Sequence, residues 1–267
     1  MNIKRILTTV IGLPIVIFII ALNQPILINI LMSIVAIRSI YEITNCAKNK
    51  NHKIISWIGY IYAILIAFIN VIPMQVEDII YSLITTMLIL FLHVIVTNGK
   101  ITFEDISYTL FSLIYIIGLI VFIPLIYWLK NGNILIWYVF IAAWGTDTFA
   151  YIIGKHFGKH KFSKISPNKT IEGCIAGTVG AIILTVVYTI VMNNLFNLQI
   201  NYVLIGVMGL ILSLVGQIGD FAASVIKRFF EVKDFSNLFP GHGGMVDRID
   251  SVIFIAPFAY LFITMLL

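Results

Sequence analysis

The chain holds about nine runs of apolar residues, each long enough, or nearly so, to cross the roughly 30 Å of hydrocarbon in a bilayer. They cover residues 6–22, 26–43, 54–72, 79–97, 107–129, 134–153, 171–192, 202–226 and 251–267. Backbone groups in lipid must bond internally, which leaves helices or a closed barrel. A barrel would show short strands of alternating polarity, and these runs do not alternate. The predicted fold is therefore an all-α polytopic integral membrane protein of about nine transmembrane helices, with no separate soluble domain. Only 11% of the 267 residues are charged, against about 25% in a soluble domain. Such a chain cannot cover itself with a polar surface, so lipid must be its solvent. Pro14 and Pro124 lie within spans and are expected to kink them.

Charge sets the orientation. With a cytoplasmic N-terminus and alternating spans, fifteen of the 17 basic residues fall in cytoplasmic segments. Lys130 alone lies on the far side, and Arg38 lies near the inner end of the second span, where Glu42 at i+4 reads as its ion-pair partner. The net charge of +5 thus reports topology and not nucleic-acid binding. The N-terminal basic residues and apolar run lack a small-x-small cleavage site and read as a retained first span. Cys46 and Cys174 form no metal-ligand spacing and no disulfide framework. His52, His93, His156 and His160 have no ligand partners in sequence and read as solvated or packing residues.

The chain divides into an uninformative region, 1–130, holding five spans, and a region 131–267 that gathers the ionisable groups. Its two polar loops, 154–170 and 227–250, are both cytoplasmic in this topology. Aspartate inside a span costs about 2.5–3.5 kcal/mol on insertion scales. Asp147 and Asp220 are each seven residues, about 10 Å, inside the cytoplasmic end of a span. Asp220, Ser224 and Lys227 share a helix face at i, i+4, i+7, with Arg228 adjacent; Asp247 and Asp250 share another at i, i+3. Carboxylates from different helices make a hard oxygen site suited to Mg²⁺ and phosphate. Asp147 reads either as a further ligand or as the partner of a buried lysine.

The loop "GHGGMVDRID" (241–250) carries His242, Arg248 and three glycines into the start of the last span. Gly243 and Gly244 permit close backbone approach to an anion, and the helix N-terminus favours phosphate. In "KISPNKTIEG" (164–173), Ser166 is positioned to cap a helix whose first turn holds Pro167 and Glu172, with Lys169 available to phosphate.

Taken together, "SVIKRFFEVKDFSNLFPGHGGMVDRID" (224–250) resembles the signature of the phosphatidate cytidylyltransferase family. The positions that carry the resemblance are Ser224, Lys227, Arg228, Lys233, Asp234, Ser236, Pro240, His242, Gly243, Gly244, Asp247, Arg248 and Asp250. Upstream, "DTFAY" (147–151) and "SPNKTIEG" (166–173) resemble two further family stretches, with Asn168 and Ile171 where relatives often carry Lys and Trp. The resemblance covers roughly 140–260; the first 130 residues match only as apolar spans.

The resemblance implies an enzyme of the bacterial-type inner membrane, with its active site on the cytoplasmic face, that joins CTP and phosphatidate into CDP-diacylglycerol and pyrophosphate. It implies Mg²⁺, a second cation such as K⁺ at the metal centre, and a homodimer. On this reading Asp220, Asp247 and Asp250 hold the metal, with Asp147 as a further candidate. Lys227, Arg228, Arg248 and Lys169 neutralise phosphates. His242, Gly243 and Gly244 shape the pyrophosphate loop, Ser224 and Ser166 bond phosphate oxygens, and Lys233 and Asp234 join the substrate site. Two alternatives stay open: a cytidylyltransferase acting on another lipid phosphate, and a membrane transporter lined by the same acids.

Overall fold

A computed structural model describes residues 14, 16–71, 76–163, 165–167 and 169–266. The expected first span, with Lys4 and Arg5, lies largely outside the described residues, as does Lys164. Everything described is helix, turn or loop, apart from two isolated β-bridges. Among the described residues six helices are long and apolar enough to cross a membrane: Pro25–Lys50, Phe103–Trp128, Gly132–Phe157, Ile171–Phe196, Tyr202–Phe229 and Val246–Met265. The protein is an integral membrane protein by this measure. Its outward faces agree, with Leu88, Ile95, Val203 and Met265 all largely exposed, as a surface solvated by lipid requires.

The expected span 54–72 differs. It is helical only over Ser56–Ile66, which at 1.5 Å per residue is about 16 Å. Ala67, Phe68 and Val71 then close i→i−3 turns. Asn70 within this run and Pro73 just after it disfavour helix continuation in an otherwise apolar stretch.

The chain forms two compact units. The first comprises residues 1–124 and 230–246. It contains α1 (Pro25–Ala47), α2 (Ser56–Ile66), α3 (Val76–Val96) and α4 (Phe103–Ser112), the last running on into a π-helical turn, Leu113–Gly118. Thr102 and Asp105 start α4 with a reciprocal capping box. Asp105 also accepts the Lys53 N–H at 2.7 Å, and Thr109 Oγ1 accepts that of Ile55 at 3.0 Å. These bonds bring Ile55 and Ile58 onto Leu90, Ile106 and Leu113, an apolar cluster within the unit. The loop 230–246 belongs to this unit, although the sequence places it within the C-terminal region.

The second unit comprises residues 125–229 and 247–267. After α5 (Phe122–Trp128) and α6 (Gly132–Leu135) come α7 (Trp137–Phe157), α8 (Ile171–Phe196), α9 (Tyr202–Phe229) and α10, which runs Val246–Leu266. Small residues let these backbones meet. A Cβ on Gly177 would stand 2.7 Å from the Thr146 carbonyl oxygen, and one on Gly219 2.6 Å from that of Asp250. A hydroxyl–amide network crosses the contact: Thr146 donates to Ser213 at 2.7 Å, Ser213 to Thr178 at 3.3 Å, and Gln217 Nε2 to Thr178 at 2.9 Å. Polar side chains buried in an apolar solvent must bond each other, and here they tie α7, α8 and α9 together one residue from Asp147 and one turn from Asp220.

Candidate active site

In the second unit the segment before α8 presents Lys169. Phe162 N–H bonds the Lys169 carbonyl at 3.0 Å, and Ile171 N–H bonds that of His160 at 2.9 Å, so 160–162 and 169–171 pair as a short bridge. The helix start differs from the one predicted. Thr170, not Ser166, is the N-cap, accepting the Gly173 N–H at 3.2 Å. Ser166 instead offers its carbonyl to the Lys169 N–H at 3.1 Å. The physical reason is that Pro167 closes a turn, and the next residue in extended conformation with a capping hydroxyl is Thr170. Glu172 does lie in the first turn, and it holds His160, whose Nδ1 stands 2.6 Å from its carboxylate.

Lys169 forms an ion pair with Asp220 on α9. Its ammonium also lies 4.3 Å above the Phe221 ring, which stacks on Phe162. Burial holds the Lys169 ammonium below the ordinary lysine range, while Asp147, Cys174 and Asp250 pull it back up and Lys227 adds to the depression. Two turns on from Asp220, Lys227 donates to Asp247 Oδ1 at 2.7 Å. This second pair is nearly dry, with side chains 15% and 3% exposed. Asp250 is buried one turn along α10 and accepts the Ser251 N–H at 2.8 Å. Asp147 on α7 and Arg248 on α10 interact electrostatically with this group.

Four elements of the second unit thus bring Asp147, Lys169, Asp220, Lys227, Asp247, Arg248 and Asp250 into one electrostatic cluster. Ser224 is half-buried one turn past Asp220, and Arg228 is exposed at the end of α9. Among the described residues no three His, Cys, Asp or Glu side chains stand close enough together to hold a metal ion. Two of the expected ligands, Asp220 and Asp247, carry lysine ammonium groups.

The loop 230–246 is built in the first unit. Lys233 and Asp234 are exposed. Phe239-Pro240-Gly241-His242 closes a β-turn, with His242 N–H on the Phe239 carbonyl at 2.8 Å and Gly241 at φ +81°. Proline followed by a left-handed glycine is the residue pattern of a type II turn. Gly243 also has positive φ, +80°, and its carbonyl accepts the Phe239 N–H at 2.9 Å. Gly244 is needed for a different reason: a Cβ there would stand 2.7 Å from Glu42 Cδ and 2.8 Å from Glu42 Oε1. Glu42 accepts the Met245 N–H at 2.9 Å and the Val246 N–H at 3.0 Å. Two N–H groups at the start of α10, those of Met245 and Val246, therefore bond a carboxylate of the protein itself. The ion pair with Arg38 is present, Nε to Oε1 3.3 Å, but it is only one of the contacts Glu42 makes. The bonds from Ser236, Met245 and Val246 to Glu42 and the Thr146–Ser213–Gln217 network are what sequence reasoning missed. An acid within an apolar run is the signal that marks Glu42.

The model of the Cytidylyltransferase family matches residues 3–266. A protein of Staphylococcus aureus (strain COL) is 36% identical over 262 residues, 95% of each chain. One from Staphylococcus haemolyticus is 40% identical over 178 residues, 66% of each chain. One from Bacillus subtilis (strain 168) is 36% identical over 181 residues, 67% of this chain and 65% of the relative. The matched segment thus spans slightly under two thirds of these last two relatives and nearly all of the first. Each of the three is named a phosphatidate cytidylyltransferase.

Proposed function

Because the chain belongs to the cytidylyltransferase family, we propose that it transfers CMP from CTP to phosphatidate, giving CDP-diacylglycerol and pyrophosphate. The observation that carries this reading is the cluster of Lys169–Asp220 and Lys227–Asp247 pairs, in which Asp220, Lys227 and Asp247 lie on helices long and apolar enough for a membrane. A phosphate oxygen of phosphatidate attacks the α-phosphorus of CTP. The new P–O bond forms as the bond to the β-phosphate oxygen breaks, and pyrophosphate leaves with that electron pair. The attacking oxygen is already anionic at neutral pH, so no protein nucleophile or strong base is required. What the protein must supply is alignment of two polyanions and cations for the leaving group.

Lys169, Lys227, Arg228 and Arg248 supply those cations. The pairing of Lys169 with Asp220 and of Lys227 with Asp247 aims these ammonium groups before substrate arrives, and phosphate oxygens then compete for the same donors. Asp220 or Asp247 would hold Mg²⁺ together with substrate phosphate oxygens, since among the described residues no three carboxylates stand close enough to share one ion, with Asp250 and Asp147 adding negative charge nearby. Carboxylate oxygens fit this hard ion, and two of these groups already bind a cation, the ammonium of Lys169 or Lys227. Bound there, the ion would neutralise phosphate charge. The placement of basic residues supports a cytoplasmic face for the site.

The test is transfer of label from α-labelled CTP into lipid by the purified full chain with phosphatidate and Mg²⁺. Labelled CDP-diacylglycerol that disappears with EDTA is the expected result. Absence of labelled lipid from folded protein would sink the proposal, and transfer to another lipid phosphate alone would reassign the acceptor.

Lys169 also sets a pH dependence. Its protonated form is the active one, and burial lowers its affinity for that proton, so its charge is lost at lower pH than an exposed lysine's. The alkaline limb of kcat/KM is expected to move to higher pH in Lys169→Arg, since guanidinium does not deprotonate there. An alkaline limb unchanged in Lys169→Arg would remove Lys169 from the phosphate site.

A further inference from the structure

Three side chains of α1, and Asn49 in the 3₁₀ turn Lys48–Lys50 that continues it, face the loop 230–246. Arg38 Nη2 reaches Ser236 Oγ at 3.4 Å. Glu42 accepts from Ser236 Oγ at 2.7 Å. Cys46 Sγ donates to the Phe235 carbonyl at 3.4 Å, and Asn49 Nδ2 to that of Phe230 at 3.4 Å. Their spacing of four, four and three residues lays them along one helix face. This face reads the loop from its first residue to its last.

Glu42 is the centre of that stripe. It is fully buried, in a helix long and apolar enough to span a membrane. A lone carboxylate there would be costly, and it is kept by donors on both oxygens. Oε1 receives Ser236 Oγ and Met245 N–H and lies against Arg38; Oε2 receives Val246 N–H. Val246 is the first residue of α10, and Asp247 is the next. Unpaired N–H groups at a helix start attract an anion. Glu42 is that anion, and the missing side chain of Gly244 is the space it occupies.

We propose that Glu42 is a positioning residue for nucleotidyl transfer: it takes the place of a bound anion at the start of α10, and so fixes where the helix carrying Asp247 and Asp250 begins and how the His242-Gly243-Gly244 turn is folded. The catalytic part of this inference rests on the function proposed above. Glu42 touches neither substrate nor metal in this role. A carboxylate is required and not merely a polar group, because an amide in its place would turn an NH₂ towards a backbone N–H.

The experiment uses the full chain in lipid nanodiscs, wild type, Glu42→Gln and Glu42→Ala, with two readouts. The first is amide hydrogen exchange over 236–248. Wild-type Met245 and Val246 amides should be protected, and exchange there should accelerate about 10–100-fold in both variants, while α8 and α9 exchange as before. The second is cytidylyl transfer. Turnover, kcat, should fall by a similar factor of about 10–100 with KM for phosphatidate within about twofold, and formate should restore part of it, saturably, in Glu42→Ala and not in Glu42→Gln. Unprotected Met245 and Val246 amides in the wild type overturn the clamp even if neither variant folds. Accelerated exchange with unchanged kcat overturns the positioning role. A wild type that transfers no label defeats the functional reading instead, and the exchange result then decides the clamp by itself.

Discussion

Asp247→Asn is expected to lower turnover by about 10²–10³-fold, because it withdraws the carboxylate that aims the Lys227 ammonium and would hold Mg²⁺, and losing one such cation from the leaving phosphate has an effect of this size. The substitution keeps the shape of the side chain and removes its charge. Asp247 is 3% exposed and its partner Lys227 15% exposed, so the loss is felt in a nearly dry environment. There an ammonium left without its counter-ion costs about 3–5 kcal/mol. Lys227→Met should destabilise by the same order, since it strands the carboxylate. The double variant Lys227→Met/Asp247→Asn should recover much of that stability, because no charge is left buried alone, while transfer stays lost. Stability and activity thus separate: the pair can be replaced by neutral groups for folding but not for chemistry. Thermal unfolding of the three variants in detergent, beside label transfer, checks both. Full turnover in Asp247→Asn would remove that residue from the active site, and strictly additive destabilisation in the double variant would show that the two side chains do not act as a pair.

Much of this arrangement was legible in the sequence for a simple reason. Charges are scarce in a chain solvated by lipid, so each one within an apolar run marks a place where it is neutralised. Asp147 and Asp220 could be picked out on that ground, and helical periodicity put Asp220 and Lys227 on one face. The partner of each acid was not legible. Lys169 reaches Asp220 from a bridge between two loop segments, and neither hydropathy nor spacing encodes that pairing. The N-cap was displaced from Ser166 to Thr170 because two hydroxyls and a proline within five residues satisfy the same local rules. The shortened helix Ser56–Ile66 shows a further limit: hydropathy measures what a segment is soluble in, not where its backbone stops bonding.

Glu42 was seen and undervalued. Its i−4 neighbour Arg38 offered a sufficient local explanation, and a sufficient local explanation conceals a long-range one. The bond from Glu42 to Val246 joins residues 204 positions apart. What the sequence did contain was a redundancy: three glycines in the loop, where a tight turn and one left-handed residue after it account for only Gly241 and Gly243. The third, Gly244, had no conformational reason and so called for a packing one.

Gly244→Ala is accordingly the second substitution with a large expected effect. The added methyl would lie 2.7 Å from Glu42 Cδ and 2.8 Å from Oε1, distances at which something must move. A flexible side chain could yield. This carboxylate cannot do so freely, because Ser236, Met245 and Val246 all hold it. The strain of overpacking is about 1–3 kcal/mol, and lost hydrogen bonds to a buried carboxylate add to it. Turnover in Gly244→Ala is expected to fall about 100-fold or more, by the same arithmetic of roughly 1.4 kcal/mol per factor of ten. The cause can be isolated by a compensating change. Glu42→Asp withdraws the carboxylate by one methylene, so the double variant Glu42→Asp/Gly244→Ala should turn over faster than Gly244→Ala alone. Recovery would mean that the glycine exists to admit Glu42. If Gly244→Ala were as active as the wild type, Glu42 would not be packed where the fold places it. If it were inactive and Glu42→Asp brought nothing back, the glycine would be serving substrate phosphate instead, as its place after His242 first suggested.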